Sequence, residues 1–403
     1  MKYSKQEVMQ FVAEEDVKFI RLAFCDVFGK QKNISILAIE LQKAFEHGIA
    51  IDGSAIAGFG GNVHSDLLLH PEADTLSILP WRPEQGRVVR MFCHITYPDG
   101  RAFENDTRTL LKIAVETARQ QGYAFYFGAE QEFYLFELDE NGEPIDKPYD
   151  TAGYMDIAPE DKGENIRREI CLTLEQMGIF PETSHHEEGP GQNEIDFQYS
   201  DPLSAADNIM TLQTIVKTVA NRNGLYADFS PKPLEDKPGN GFHINISVQP
   251  DTNTQNLTYM IAGVLARARE MTAFLNPCEA SYRRLGVNKA PKYVSWSSEN
   301  RSQLVRIPAA AAKENRRAEL RSPDPAVNPY LAFALLIYAG LEGLAEQKNL
   351  PFVADFDVYS APPEKLADLE QLPAQWEQAK AIAKDSDFIR KVLPASIAQI
   401  YCC

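Results

Sequence analysis

Apolar and polar positions alternate along residues 17–23, and a turn-like run at 26–31 separates them from a second extended segment at 33–37. Residues 36–47 carry apolar groups at helical spacing. Residues 75–79 and 87–96 read as further strands, separated by a stretch rich in Pro, Gly and charge. A boundary is expected at 100–105. After it, Asp106 or Thr107 caps a helix running to about residue 121. The run 125–138 is strand-like. Helical periodicity then recurs at 165–177, 205–223, 256–274 and 328–346, with strands expected at 194–199, 226–230 and 243–249. Strands and helices mix without a strict βαβ repeat, which favours the α+β class.

The chain has 403 residues, 44% of them hydrophobic, which suits two domains with sizeable cores. A formal net charge of -17 makes nucleic acid and anionic membrane unfavourable partners. The most apolar stretch, 329–341, is too short to span a bilayer and reads as a buried helix. Residues 1–19 are studded with charge and lack the apolar segment of a secretory leader. Six cysteines without a Cys-x-x-Cys pair point away from zinc and toward a reducing, cytoplasmic setting. Cys402 and Cys403 are expected in an exposed tail.

Three acidic segments carry the candidate chemistry. In FGAEQEFYLF, Glu130 and Glu132 are two apart, so a strand points both to one face about 6–7 Å apart. Alone, that pair reads as a polar face meeting solvent. The segment SHHEEGPGQNEIDF adds His185, His186, Glu187, Glu188 and Glu194 around a tight turn, and KPLEDKPGNGFHINIS leads a glycine-rich loop into His243. Hard oxygen donors with one imidazole suit Mg²⁺ or Mn²⁺. Against them stand Arg301, Arg306, Arg316, Arg317 and Arg321, with Arg317, Glu319 and Arg321 on one face of an extended segment. An isolated Arg-x-Glu-x-Arg is an ordinary ion-pair ladder. Beside three acid clusters, guanidinium forks suit a polyphosphate and a carboxylic acid meeting over metal ions.

These segments, in this order, resemble the type I glutamine synthetase family over nearly the whole chain. IDGSAIAGF with Asp66 downstream, NRSQLVRIP and ELRSPDPAVNPYLAFALL complete the match. The resemblance implies a β-grasp-like N-terminal domain over 1–103. A catalytic domain with a curved, mainly antiparallel sheet would occupy 104–403. It implies one divalent cation at Glu132, Glu187 and Glu194, and another at Glu130, His243 and Glu319. Arg284 would bind the α-carboxylate of glutamate with help from the Gly239 backbone, and Arg321 would lie near the γ-carboxylate. Arg301, Arg306 and Arg317 would clamp the phosphates of ATP, with Ser247 on the nucleotide. Asp52 of a neighbouring subunit would take ammonium, with Asp66 and Tyr154 nearby. The assembly would be a homo-oligomer, a hexameric ring or two rings stacked as a dodecamer. Longer members clasp the opposite ring with a tail, whereas this sequence stops soon after IRKVLPASIAQIY.

Other features depart from the family pattern. The family's flap usually carries a glutamate just before Ala-Pro. Here RRLGVNKAPKY is about one residue shorter and puts Lys289 at that place. A cation there opposes ammonium if it points inward, so a γ-glutamyl-amine ligase using an organic amine is an alternative. A catalytically weak regulatory homologue is a third reading. The loop before His243 reads Pro238, Gly239, Asn240, Gly241, where relatives often have Asn-Gly-Ser-Gly. Tyr359 falls where some relatives are adenylylated and is read as an ordinary tyrosine.

Overall fold

A computed structural model describes residues 3–60, 65–251, 255–308 and 316–403. The N-terminal part runs α1 (Lys5–Glu14), β1 (Val17–Cys25), β2 (Gln31–Leu37), α2 (Leu41–His47), β3 (Ile49–Asp52), β4 (Asp66–Pro71), β5 (Ser77–Ile78) and β6 (Arg87–Thr96). Its sheet has the order β2-β1-β6-β4-β3, with β5 also on β6. The β1–β6 pair is parallel and the other pairs are antiparallel. Two expectations need correction here. The helix expected from residue 36 begins later, because Ile36 pairs with Ile20 and stays in β2. The strand expected at 75–79 shrinks to two residues, because 73–75 tighten into a 3₁₀ turn in which the Thr75 hydroxyl donates to the Glu72 carbonyl (2.7 Å).

Asp106 closes the seam between the two parts. One carboxylate oxygen caps the next helix by accepting from the Arg108 amide (3.1 Å), while the other accepts from the Ile95 amide of β6 (2.9 Å). The larger part then continues with α3 (Thr107–Gln120), β7 (Ala124–Leu138), β8 (Pro144–Pro148), α4 (Glu164–Gln176), β9 (Pro181–His186), β10 (Gln192–Ser200), α5 (Pro202–Arg222), β11 (Leu225–Asp228), β12 (Phe242–Gln249), α6 (Gln255–Leu275) and α7 (Glu279–Arg284). It ends with β13 (Trp296–Ser297), β14 (Val305–Arg306), β15 (Ala318–Leu320), α8 (Pro329–Glu346), α9 (Pro363–Leu366), α10 (Trp376–Asp385), α11 (Asp387–Val392) and α12 (Ala395–Cys402).

Nine strands form the second sheet, in the order β13-β14-β15-β12-β7-β10-β9, with β8 and β11 also on β7. All its pairs are antiparallel except β13–β14. β7 is the spine. Its odd-numbered side chains Phe125, Phe127, Phe133 and Leu135 are buried against the helical layer, and the Phe127 and Phe333 rings stack at 4.1 Å. α8 is apolar on nearly every face because it is buried on nearly every face. Among the described residues, no helix is long and apolar enough to cross a membrane. The C-terminal pair is not a tail: Cys402 is buried in the last turn of α12, and only Cys403 is exposed. No cysteine is in a disulfide.

Candidate active site

Strand register assembles the site. Glu132 of β7 lies opposite Glu194 of β10, and Glu130 lies opposite Asp196 on one side and His243 of β12 on the other. Asn245 lies opposite Glu319 of β15, which lies opposite Arg306 of β14. Period two puts all these side chains on one face, so residues far apart in sequence become neighbours across five strands. Of these, Glu130, Glu132, Glu194 and His243 line a cavity of about 240 Å³, together with Glu187 and Arg284.

The carboxylates sit in unlike fields. Glu130 accepts from the Asn245 amide (2.8 Å) and lies 3.1 Å from Nδ1 of His243. Burial pushes its pKa up, but the His243 contact and that hydrogen bond prevail and hold it at about 2. Glu132 accepts from the Gly241 amide (2.8 Å) and the Gln192 side chain (3.0 Å), yet burial still raises its pKa. Burial and the charges of Asp196 and Glu132 raise Glu194 well above the carboxylate range. Glu187 is lowered: burial opposes ionisation, but His185 Nε2, 3.1 Å away, outweighs it.

Ligand atoms gather in groups on this face. Glu130, His243 and Glu319 converge as one cluster. Glu194 converges with Glu132 and His243 and also with His185 and Glu187, so Glu132, Glu187 and Glu194 border a common space with both imidazoles beside it. The buried group Asp150, Asp161 and His186 is different. Its charges are met internally, by the Arg167–Asp161 ion pair and by His186 Nε2 2.9 Å from Asp150.

Basic groups close the opposite wall. Arg284 is buried and donates to the Ser322 carbonyl (2.7 Å) and the Arg321 carbonyl (3.3 Å), which fixes its fork. Arg321 is paired with Glu319, and Arg301 lines the cavity from an exposed position. Arg306 Nε donates to Glu319 (2.6 Å) and Arg317 Nε to the Asn245 side-chain oxygen (3.0 Å), so both extend the face along β14 and β15 beyond the cavity. Ser247 continues the His243 and Asn245 face of β12, opposite Tyr126. Gly239 lies against Arg284, and a Cβ on Gly241 would come within 2.8 Å of Glu132 Oε1, so the loop must be bare there. Asn240 does not reach the cavity as a ligand: its amide donates to the carbonyls of Asp228 (3.1 Å) and Ser230 (2.9 Å).

The flap segment holds Asn288 and Lys289 in the left-handed backbone region and places Lys289 at the cavity mouth. Its ammonium pairs with Glu188, the residue after Glu187. Tyr154 lines the cavity and meets the His185 ring edge-on at 5.4 Å. Asp52 and Asp66 do not line it. They are paired residues of β3 and β4, both exposed, and Asp52 accepts from the Ser54 amide (2.9 Å) and hydroxyl (2.6 Å). Gln192, Asn245 and Asp196 went unnoticed in the sequence. Each stands two residues from a named ligand on the same strand, so the period that found the ligands also locates them.

A model described as the glutamine synthetase catalytic domain matches residues 104–403, and one described as the glutamine synthetase β-grasp domain matches residues 16–98. A glutamine synthetase from Clostridium saccharobutylicum is 42% identical over 407 residues, covering 97% of this chain and 92% of the relative. One from Methanosarcina mazei is 42% identical over 415 residues, covering 99% and 93%. Among solved structures, a GmaS complex with ADP superposes with a TM-score of 0.88 at 28% identity, covering 98% of this chain and 94% of that one. A Plasmodium falciparum glutamine synthetase superposes with a TM-score of 0.88 at 22% identity, covering 100% and 95%, a likeness of fold.

Proposed function

This chain belongs to the glutamine synthetase family, and from that premise we propose that it joins ammonia to the γ-carboxylate of L-glutamate with ATP, through γ-glutamyl phosphate. The carrying observation is the single sheet face on which two acidic ligand groups meet a wall of fixed arginines. Its donor set of carboxylates with imidazole fits Mg²⁺ or Mn²⁺, and the buried carboxylates of Glu132 and Glu194, pushed toward their neutral forms, are what a cation would relieve.

Glu132, Glu187 and Glu194 would hold one cation and Glu130, His243 and Glu319 the other. Bound there, the ions supply neutralisation of charge on the phosphoryl group in transfer. Arg301, Arg306 and Arg317 clamp the ATP phosphates, and Ser247 serves the nucleotide. Arg284, locked by two carbonyls, presents its fork to the α-carboxylate beside Gly239, and Arg321 attends the γ-carboxylate. A carboxylate is a poor acyl donor because its leaving group is oxide. Phosphorylation replaces oxide by phosphate, and ammonia then attacks the acyl carbon. Ammonium first gives up a proton, for which we assign Asp52 of a neighbouring subunit, with Asp66 and Tyr154 nearby. The exposure of Asp52 and Asp66 away from their own cavity supports that sharing. We further propose a domain division at 103/104, a hexameric ring or stacked dodecamer, and a cytoplasmic setting.

A second reading, an organic amine as nucleophile, draws on Lys289 at the cavity mouth. Its pairing with Glu188 spends the charge on a protein carboxylate, which favours ammonia. The test is phosphate release and amide formation with ATP, Mg²⁺ and glutamate across ammonium and primary amines. Glutamine as the principal product supports the proposal, and a substituted amide overturns it.

A further inference from the structure

A second cavity, of about 730 Å³, lies at the seam between the two parts of the chain and shares no lining residue with the first. β4 and β6 contribute His70, Arg90 and His94 to it, and α3 contributes Arg108 and Lys112. Its inner wall is an ion network beside one guanidinium that takes no direct part in it. Arg108 donates through Nε (3.0 Å) and Nη2 (2.9 Å) to Asp207 and through Nη1 to Glu72 (2.6 Å). Lys112 also pairs with Glu72, and His94 Nδ1 lies 3.2 Å from it. The Tyr330 hydroxyl donates to Asp207 (2.7 Å). Both acids of the wall are thereby committed.

Arg90 has no such partner. Its Nη1 donates to the Thr211 hydroxyl (2.7 Å), and its guanidinium lies 4.2 Å over the Phe92 ring. Nε has no hydrogen-bond partner, and no ion pair to Arg90 exists among the described residues. The side chain is only 7% exposed, and burial pushes its pKa down to about 10. The buried charges of the wall are thus Arg90 and Arg108 against Glu72 and Asp207, with Lys5 and Lys112 bordering the cavity from exposed positions, and Arg90 alone of the four makes no direct ion pair among the described residues. The other acids that border the cavity, Asp74 and Asp201, are exposed at its rim, and Asp201 is engaged in capping α5 through the Ser204 amide (3.2 Å). A buried guanidinium with no direct ion pair is costly even with the charge of Asp207 nearby, and a planar fork beside two stacked imidazoles, His70 and His94 at 5.0 Å, suits an oxyanion.

We propose that this seam cavity binds a small oxyanion, a carboxylate or phosphate group on a metabolite-sized molecule, which gives Arg90 the direct ion pair it lacks. Bound there, the anion ties β6 of the N-terminal sheet to α3 and α5 of the larger part. The site is separate from the ligation chemistry and does not depend on the reading of that chemistry.

The test is thermal unfolding of the full-length protein in chloride buffer with chelator, titrated in separate arms with inorganic phosphate and with succinate. Comparison with Arg90→Met, which keeps the contact with Phe92, identifies the seam. The wild type should show a saturable rise in Tm in at least one arm, and the responding arm tells phosphate from carboxylate. Arg90→Met should raise the half-saturating concentration about ten-fold or more, as expected for losing a charge-assisted pair, while retaining its catalytic rate. An equal anion response in Arg90→Met, or no response of the wild type to either anion, overturns the proposal. If Arg90→Met does not fold, hydrogen exchange of the wild type decides. Anion-dependent slowing in β6 and the start of α5 supports the site, and slowing confined to β14 and β15, or none, rejects it.

Discussion

Glu130 and Glu132 stand two residues apart on one strand face, yet the first is held ionised by His243 and Asn245 while burial drives the second toward its neutral form. That contrast locates the demand for cations at Glu132. Glu132→Ala should lower Mg²⁺-dependent turnover by more than about 100-fold, since changes even one shell further out cost 10–100-fold. Thermal unfolding in chelator should show a Tm no lower than wild type, because a buried carboxylate that resists ionisation has been removed. Near-wild-type turnover at ordinary Mg²⁺ would remove the metal assignment. Lys289 makes a second prediction at this scale. Lys289→Glu sets two carboxylates against each other at the cavity mouth, so more phosphate should be released per amide formed as water enters. The reversed pair Lys289→Glu with Glu188→Lys should recover the ratio, and a ratio unmoved in the single variant would show that the pair does not guard the mouth. In the sequence the spacing of Glu130 and Glu132 places them on one strand face, but alone the pair reads as a polar face meeting solvent, and the ligand sets came only from the resemblance of several segments to the family. Gln192 and Asn245 share the period-two spacing of the ligands, but as uncharged amides nothing beyond that spacing marks them. The pairing of Lys289 with Glu188 joins segments about a hundred residues apart, and no local pattern encodes it.

At the scale of elements, the long amphipathic or wholly apolar runs were readable: β6, β7, α3, α5, α6 and α8 lie within a few residues of their expected bounds. The elements missed are short or polar. β9 is Pro-Glu-Thr-Ser-His-His, largely exposed and paired along one edge with β10, and α1 buries just Val8 and Val12. Close packing of α6 on α8 is carried by small residues. A Cβ on Gly263 would approach the Ala339 carbonyl to 2.1 Å and the Gly343 amide nitrogen to 2.7 Å. Gly263→Ala should therefore destabilise by about 1–3 kcal/mol through overpacking, read as a lower denaturation midpoint. An unchanged midpoint would mean that the helices separate freely. Glu72 gives a pH prediction at the seam. Burial favours its neutral form, but His94, Arg108 and Lys112 outweigh burial and hold its carboxyl well below the usual range. A lowered folded pKa gives stability that is full above the unfolded value of about 4.3 and is lost as pH falls through the folded one. The stability difference between wild type and Glu72→Gln, from denaturant unfolding, should therefore shrink as pH is lowered from about 6 to about 3. A difference independent of pH would show that the ion network does not control Glu72.

For the whole molecule, Gly100 and the polar run after it interrupt the apolar pattern in the sequence, and the mainly antiparallel larger sheet was expected from the resemblance alone, since strand register is set by partners distant in the chain. The placement of Asp52 and Asp66 outside their own cavity carries the assembly prediction. Mixing inactive Asp52→Ala with inactive Glu132→Ala protomers should restore part of the activity once subunits exchange, because some interfaces then combine an intact Asp52 with an intact ligand set. Demonstrated exchange without recovery would contradict a shared site. The central claim is the reaction itself. Its most direct test is a competition in one vessel: the full-length protein with ATP, Mg²⁺, glutamate, and equal ammonium and methylamine, with products separated by mass and phosphate counted. The account predicts glutamine as the dominant amide, with one phosphate released for each amide formed. A dominant methylamide, or no ATP-dependent amide at all, would contradict it.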